Sequence, residues 1–526
     1  MSVTHRYLIG LDFGTTSARG VLIDIDTRSQ VDHAVSQYAH GLLTDRLPSN
    51  DLLAAGFALH HPMDYIEAGA HILGRLGKDR DIAAIGIAST ASSPLPAYAD
   101  GVPLVRDFPG EPQAYVKLWK HARAQPYAEQ LNVQFAEQLA QFGGRAGGEG
   151  LLAKAAETQA LAPAVWDSAA KYIEAGDWIV WQLTGAEVRS MDFACFKALY
   201  DPHKGYPANV VKGLAEKLSK PVSVGRAAGY LTDQWILRTG IRGSPIVAVA
   251  CIDSHAVLPA VGVTTPSVMV GALGTSSGFL ALDTRRRDLP AGYEAAAFGA
   301  ALPEIWCCEA GQAAFGDALG WFVKTFPRPD AVGDGFEWYN AKAALLLPGE
   351  SGLLALDWFG GNRVPYADPL LSGLLIGLRV GTTAEGIYRA LVESLAFGVR
   401  AIFDRSVASE LGIQRIILAS GVARANGFLV QTISNVLGRQ VDVSECDNAT
   451  ATGAAIHGAV AAGIVRNFSE GAKQYGHRTH RSIVPDISGK FIFDNLYEKY
   501  LGLVSNRVLI EAMRTISVHS GGLSGR

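Results

Sequence analysis

Two aspartates, Asp12 and Asp253, each end a strongly apolar run, and the residues around them suit phosphate chemistry. In YLIGLDFGTTSARGVLID (7–24) the run ends on Asp12, and the turn Gly14-Thr15-Thr16-Ser17 follows. In VMVGALGTSSGFLAL (268–282) the same strand–turn–strand pattern recurs around Gly274-Thr275-Ser276-Ser277. Glycine lets the backbone come close to an anion, and neighbouring hydroxyl and N–H groups donate to it. Two such hairpins predict two related lobes gripping one polyphosphate, which points to ATP. A carboxylate beside such a turn repels the nucleotide unless a cation intervenes, and Mg²⁺ takes one or two carboxylates with phosphate oxygens and water. Asp12 is therefore a candidate Mg²⁺ ligand, against the plainer alternative of a turn residue.

Asp253 closes SPIVAVACIDSHA (244–256), and strand ends in α/β proteins face the ligand crevice. An aspartate suffices to accept a hydroxyl proton during phosphoryl transfer, because the transition state is loose. The alternative is a helix N-cap. His255 beside it reads as structural. Glu309 in CCEAGQAAFGD and Lys197 in ACFKALY could each contact a polyol, or could be a helix-start carboxylate and a surface lysine. In SGVARANGFLVQ (420–431), Gly421 could bring backbone close to an adenine or ribose.

Alternating helices and short buried strands must position these residues, which makes the class α/β. Strands and turns are expected over 7–40, strands at 82–90, 244–256 and 413–421, and helices near 62–76, 384–411, 425–438 and 452–463. Residues 111–185 read as largely helical, broken at GGRAGGEG (143–150). Small residues in TGAAIHGAVAAG (452–463) predict a helix packed closely against another element. Residues after Phe491 carry helical periodicity. VGVTTPS (261–267) is the expected crossover, giving domains at 1–264 and 265–490 and a tail at 491–526.

A chain of 526 residues exceeds what one core usually supports. A net charge of −4 leaves no basic footprint for nucleic acid. Five cysteines, sparse and odd in number, and no CxxC favour a reducing, cytoplasmic compartment. Ala256 to Leu282 holds no charged residue and is long enough to span a bilayer. Prolines and the GTSSG turn interrupt it, so strand–linker–strand in a soluble protein is expected, with no membrane partner.

Taken together, LDFGTTSARGVLID (11–24), AYVKLWKHARAQ (114–125), EAGDWIVWQLTG (174–185), CEAGQAAFGD (308–317), LDWFGGNR (356–363), GNRVPYADP (361–369) and SGVARANGFLVQ resemble the FGGY carbohydrate kinases, in particular their L-ribulokinase-like branch. The resemblance implies two actin-like, ribonuclease H-like domains with a catalytic cleft between them, and ATP-dependent phosphorylation of the 5-hydroxyl of a ketopentose. Carried over by position, it implies Asp253 as general base and Ala91, Trp119, Lys120, Lys197 and Glu309 at the sugar. For ATP it implies Gly14, Thr15, Thr16, Ser17 and Arg19, then Gly274, Thr275 and Ser276, with Gly421, Ala423 and Asn426 at the adenosine. Asp12 would hold Mg²⁺, and a homodimer is the implied assembly.

Three positions depart from the pattern. Ala88 stands in GIASTASSP where these kinases usually carry Asp, which bears on the sugar. His121 replaces Asp in WKHAR, and Ser420 replaces Gly before the adenosine loop, tolerable there if its φ is negative. D-ribulose, another ketopentose or a pentitol such as ribitol is the alternative substrate. A non-catalytic sugar sensor and an actin-like ATPase of another class are the competing readings.

Overall fold

The computed structural model describes residues 6–139, 146–207, 209–287, 295–328 and 333–523. The chain divides into two compact units. The first comprises Met1–Thr264, Ala295–Cys307 and Asn448–His477; the second comprises Thr265–Glu294, Cys308–Asp447 and Arg478–Arg526. The boundary at Thr264 falls inside VGVTTPS, and two later segments return to the first unit.

The first unit is built on one sheet in the order Gln30–Gln37, Ser17–Asp24, Arg6–Phe13, Asp81–Ser89, Ile246–Ala248, Ala227–Tyr230, with Cys251–Ile252 also paired to Asp81–Ser89. Arg6–Phe13 and Ser17–Asp24 form an antiparallel hairpin, and Arg6–Phe13 runs parallel to Asp81–Ser89. Leu8 to Phe13 are all buried, which is why the run is apolar without alternation. The expected close-packed helix is Ala449–Ala461, and it lies on Arg6–Phe13, Asp81–Ser89 and the helix Asp253–Ala260. A Cβ on Gly10 would sit 1.8 Å from the Ala451 carbonyl oxygen, so only glycine admits this approach.

In the second unit the order is Trp306–Gln312, Ser277–Asp283, Val268–Leu273, Arg415–Ala419, Val441–Ser444, His480–Ile483. Val268–Leu273 and Ser277–Asp283 are an antiparallel hairpin, and Val268–Leu273 runs parallel to Arg415–Ala419. Each unit thus repeats one device, a hairpin whose first strand extends a parallel sheet. The C-terminal helices are Lys490–Val504 and Arg507–Leu523. Tyr500 in the first of them donates to Asp357 Oδ1 (2.7 Å), whose Oδ2 accepts from Gln312 Nε2 (2.7 Å). Ser277 Oγ, at the end of the second turn, donates to Gln312 Oε1 (3.0 Å).

Several local expectations change. The charge-free stretch begins as the helix Asp253–Ala260, not as a strand, and then forms the second hairpin. Among the described residues no helix is long and apolar enough to cross a membrane. The 111–185 region also holds strands Val116–Lys117 and Lys171–Glu174. Residues 143–145 of its glycine-rich turn lie outside the described residues.

Burial pushes His60, His121 and His457 down to about 4, and both ring nitrogens of His457 lack a hydrogen-bond partner. Free imidazoles protonate below about 6.5. At these three sites the unfolded chain binds more protons than the fold between about 6.5 and about 4, so the stability they contribute is lost as pH falls through that window. His457→Leu is expected to flatten this loss. Thermal midpoints at several pH values check it, and an unchanged slope would contradict the assignment.

Candidate active site

The first turn closes with Gly14 N–H donating to the Ser17 carbonyl (3.1 Å), while Tyr38 OH donates to the Gly14 carbonyl (3.0 Å). Trp119 Nε1 donates to Thr15 Oγ1 (3.3 Å), so the 114–125 segment reaches the turn. Lys120 lies over the Trp119 ring at 5.0 Å. Thr16 at the tip is exposed, and Arg19 is exposed and opposite Asp12 in the hairpin register.

Asp12 and Asp253 are brought together. Asp12 pairs with Ala88 in register, and Ala88 pairs on its other side with Cys251, two residues before Asp253. Burial pushes the Asp12 carboxyl up to about 7; the Asp253 charge adds to the rise and Arg19 opposes it. Asp253 is the first residue of its helix, whose N-cap is Ile252, so it is not the N-cap. Its Oδ1 accepts from Ser254 N–H (2.7 Å).

Sequence reasoning missed what holds this aspartate in place. Asp192, fully buried, accepts from Ile252 N–H through Oδ2 (2.9 Å) and bonds His255 Nδ1 through Oδ1 (2.7 Å). It thereby fixes the chain on both sides of Asp253, and His255 is structural, as expected. The only sequence signal was an Asp in the first turn of MDFACFK, the helix that ends on Lys197. Lys197 is half-buried, and its charge acts on Glu174. Burial pushes Glu174 up to about 7 against a hydrogen bond from Ser93 N–H and the charges of Lys154 and Lys197. His121 bonds Glu157 at 2.8 Å, which accounts for a histidine in WKHAR as a buried structural partner. Ala91 is buried in the loop after Asp81–Ser89.

The second turn is organised within its own unit. Gly274 N–H donates to the Ser276 carbonyl (2.8 Å). The Gly274 carbonyl accepts from Gly316 N–H (3.0 Å), and that of Thr275 from Phe315 N–H (2.8 Å) and Asp317 N–H (3.2 Å). With the carbonyls tied to the start of helix Gly316–Thr325, the turn meets an anion with N–H and hydroxyl donors. A Cβ on Gly316 would lie 2.6 Å from the Gly274 oxygen and 3.6 Å from Val422 Cγ2, which places the Gly421–Ala425 helix beside this turn. Gly421 is exposed and has open space where a side chain would begin; Ala423 is buried. Asn426 Oδ1 accepts from Leu429 N–H (3.0 Å), capping the next helix. Ser420 has φ 164°, extended rather than negative, which any residue adopts, and its Oγ accepts from Ala423 N–H (3.1 Å). Glu309 is buried on the Trp306–Gln312 strand, not at a helix start.

Away from these turns, His40, His61 and Asp64 are close enough to offer three metal ligands. Their donor atoms already serve the fold. Asp64 accepts from His40 N–H (3.0 Å) and bonds its Nδ1 (2.7 Å), and His61 Nδ1 caps helix Pro62–Gly77.

Residues 269–462 match the FGGY family of carbohydrate kinases, C-terminal domain. A ribulokinase of Bacillus licheniformis is 36% identical over 521 residues, covering 92% of this chain and 94% of that protein. The chain belongs to the FGGY carbohydrate kinases. A ribulokinase of Halalkalibacterium halodurans is 35% identical over 535 residues, covering 95% of each. The crystal structure of a xylulose kinase from Rhodospirillum rubrum superposes with a TM-score of 0.79 at 22% identity, over 97% of this chain and 100% of that one. As an FGGY kinase the chain is an ATP:sugar phosphotransferase with the two-domain α/β fold of that family.

Proposed function

We propose that this FGGY kinase is a pentulose kinase that transfers the γ-phosphoryl group of ATP to the 5-hydroxyl of L-ribulose. The observation that carries the reaction is Asp253, held at the end of an apolar run by the Asp192 carboxylate on either side of it. Asp253 accepts the hydroxyl proton as the sugar oxygen approaches phosphorus in line. Gly14 to Ser17, with Arg19, and Gly274 to Ser276 supply donors to the phosphates, while Gly421, Ala423 and Asn426 supply the adenosine side. Ala91, Trp119, Lys120, Lys197 and Glu309 bind the sugar. The donor set at Asp12, a buried carboxylate with a second carboxylate nearby, fits Mg²⁺, which prefers oxygen ligands. A cation there would offset the Asp12–Asp253 repulsion and neutralise phosphate charge.

L-ribulose rests on the named relatives, two ribulokinases that match almost the whole chain. One observation favours D-ribulose, another ketopentose or a pentitol: Ala88, fully buried, lies in register between Asp12 and Cys251 and offers no carboxylate to a sugar hydroxyl. Sugar-dependent ADP release across a panel of ketopentoses and pentitols decides between them. Highest kcat/KM on L-ribulose is expected. A different leading sugar replaces L-ribulose, and no sugar-dependent release from any of them leaves the non-catalytic sensor.

A further inference from the structure

Lys154 is fully buried on the helix Leu151–Leu161, and its ammonium group donates to three backbone carbonyls: Ser92 (2.5 Å), Leu118 (2.7 Å) and Lys117 (3.3 Å). An ammonium has three N–H donors, so these acceptors use its full capacity. The carbonyls belong to two segments far apart in sequence. One adjoins Ala91, the other adjoins Trp119. Ser92 has φ 55°, a left-handed conformation that non-glycine residues hold only when their surroundings enforce it. Its carbonyl is gripped by Lys154, and the next N–H, that of Ser93, donates to Glu174 Oε2 (2.7 Å). Glu174 is itself buried, and its Oε1 has no hydrogen-bond partner.

A second layer fixes the other segment. Lys117 Nζ donates to Glu157 Oε2 (2.8 Å) and Thr158 Oγ1 (2.7 Å), and His121 bonds the same carboxylate. Trp119 and Lys120 therefore lie between anchored neighbours. Burying an ammonium is costly, and well-packed apolar residues hold a core together at least as well. A buried cation that reaches backbone oxygens on two separate loops sets their relative position instead.

We propose that Lys154 and Glu174 are positioning residues that clamp the strained Ala91–Ser93 loop against the Leu118–Trp119 segment and thereby set affinity for the sugar. This rests on the sugar-binding role given above to Ala91 and Trp119. The test compares Lys154→Met with wild type in KM for sugar, KM for ATP, kcat and amide hydrogen exchange over 90–93 and 117–121. Lys154→Met is expected to raise KM for sugar about tenfold, the equivalent of one weakened hydrogen bond to the sugar, with a smaller rise in KM for ATP because Trp119 also bonds Thr15 Oγ1, and with exchange faster in both segments. Ser92→Gly, which accepts the positive φ without strain, keeps the test open if the methionine variant fails to fold. The carbonyl that Lys154 grips is kept, but glycine also opens other conformations to the 91–93 loop, so the variant is expected to retain the thermal midpoint and raise KM for sugar; an unchanged KM for sugar would overturn the link between this loop's conformation and sugar affinity. Unchanged exchange in Lys154→Met overturns the clamp whatever the substrate proves to be. Faster exchange with both KM values unchanged overturns the link to sugar affinity and counts against the sugar role of Ala91 and Trp119.

Discussion

Asp253→Asn is expected to lower kcat by about 10² or more, the low end of what a positioned general base supplies. The substitution removes the proton acceptor and, with it, the negative charge that acts on Asp12. An asparagine Oδ1 can still accept from Ser254 N–H, now at 2.7 Å from Asp253 Oδ1. The Asp192 bonds to Ile252 and His255 do not involve the Asp253 side chain, so the chain on either side keeps its place. KM for both substrates should change far less than kcat, because an interaction needed in the transition state is lost and ground-state binding is not. Steady-state ADP release under saturating sugar and MgATP reads the effect. Turnover near that of the wild type would remove Asp253 from the reaction. Asp192→Asn is the informative companion: it disturbs the frame without touching the base, so its loss should be partial.

How far the sequence revealed the site depended on whether its signal was local. Both hairpins were legible because each is a contiguous pattern: apolar run, glycine turn with hydroxyls, apolar run. Asp253 was legible as a polar residue closing such a run. What escaped were partners distant in the chain. Asp192 reaches His255 across 63 positions, and Lys154 reaches Ser92 across 62. A lone lysine in LLAKAAETQAL carries no mark of burial, since helix periodicity there is weak and an amphipathic surface is the ordinary expectation. The small residues of 452–463 announced a close approach but not its target. Neighbours in sequence suggested the second unit, whereas the helix packs on the first-unit strands that carry Asp12 and Ala88.

That packing gives the largest expected effect on stability. A Cβ placed on Gly86 would lie 1.6 Å from the Ala454 carbonyl oxygen and 2.4 Å from its carbonyl carbon. The same holds across the assembly: a Cβ on Gly453 would lie 1.7 Å from the Ala256 oxygen. Each obstacle is helix backbone, which cannot swing aside as a side chain tip can. Gly86→Ala must therefore push the Ala449–Ala461 helix off the Asp81–Ser89 strand, opening a contact buried on every side. The expected loss is at or above the top of the range of about 1–3 kcal/mol for overpacking. Against a total stability of about 5–15 kcal/mol, that threatens folding of the first unit. Any folded fraction should also lose activity, because Gly86 is two residues from Ala88 and the helix braces the strand that carries Asp12. Gly320→Ala is the control: it is helical, has open space where its Cβ would go, and should be neutral or stabilising by about 0.5–1 kcal/mol. Soluble yield and thermal midpoints of the two variants decide the matter. A Gly86→Ala midpoint equal to that of Gly320→Ala would mean the helix and strand are not held at this distance.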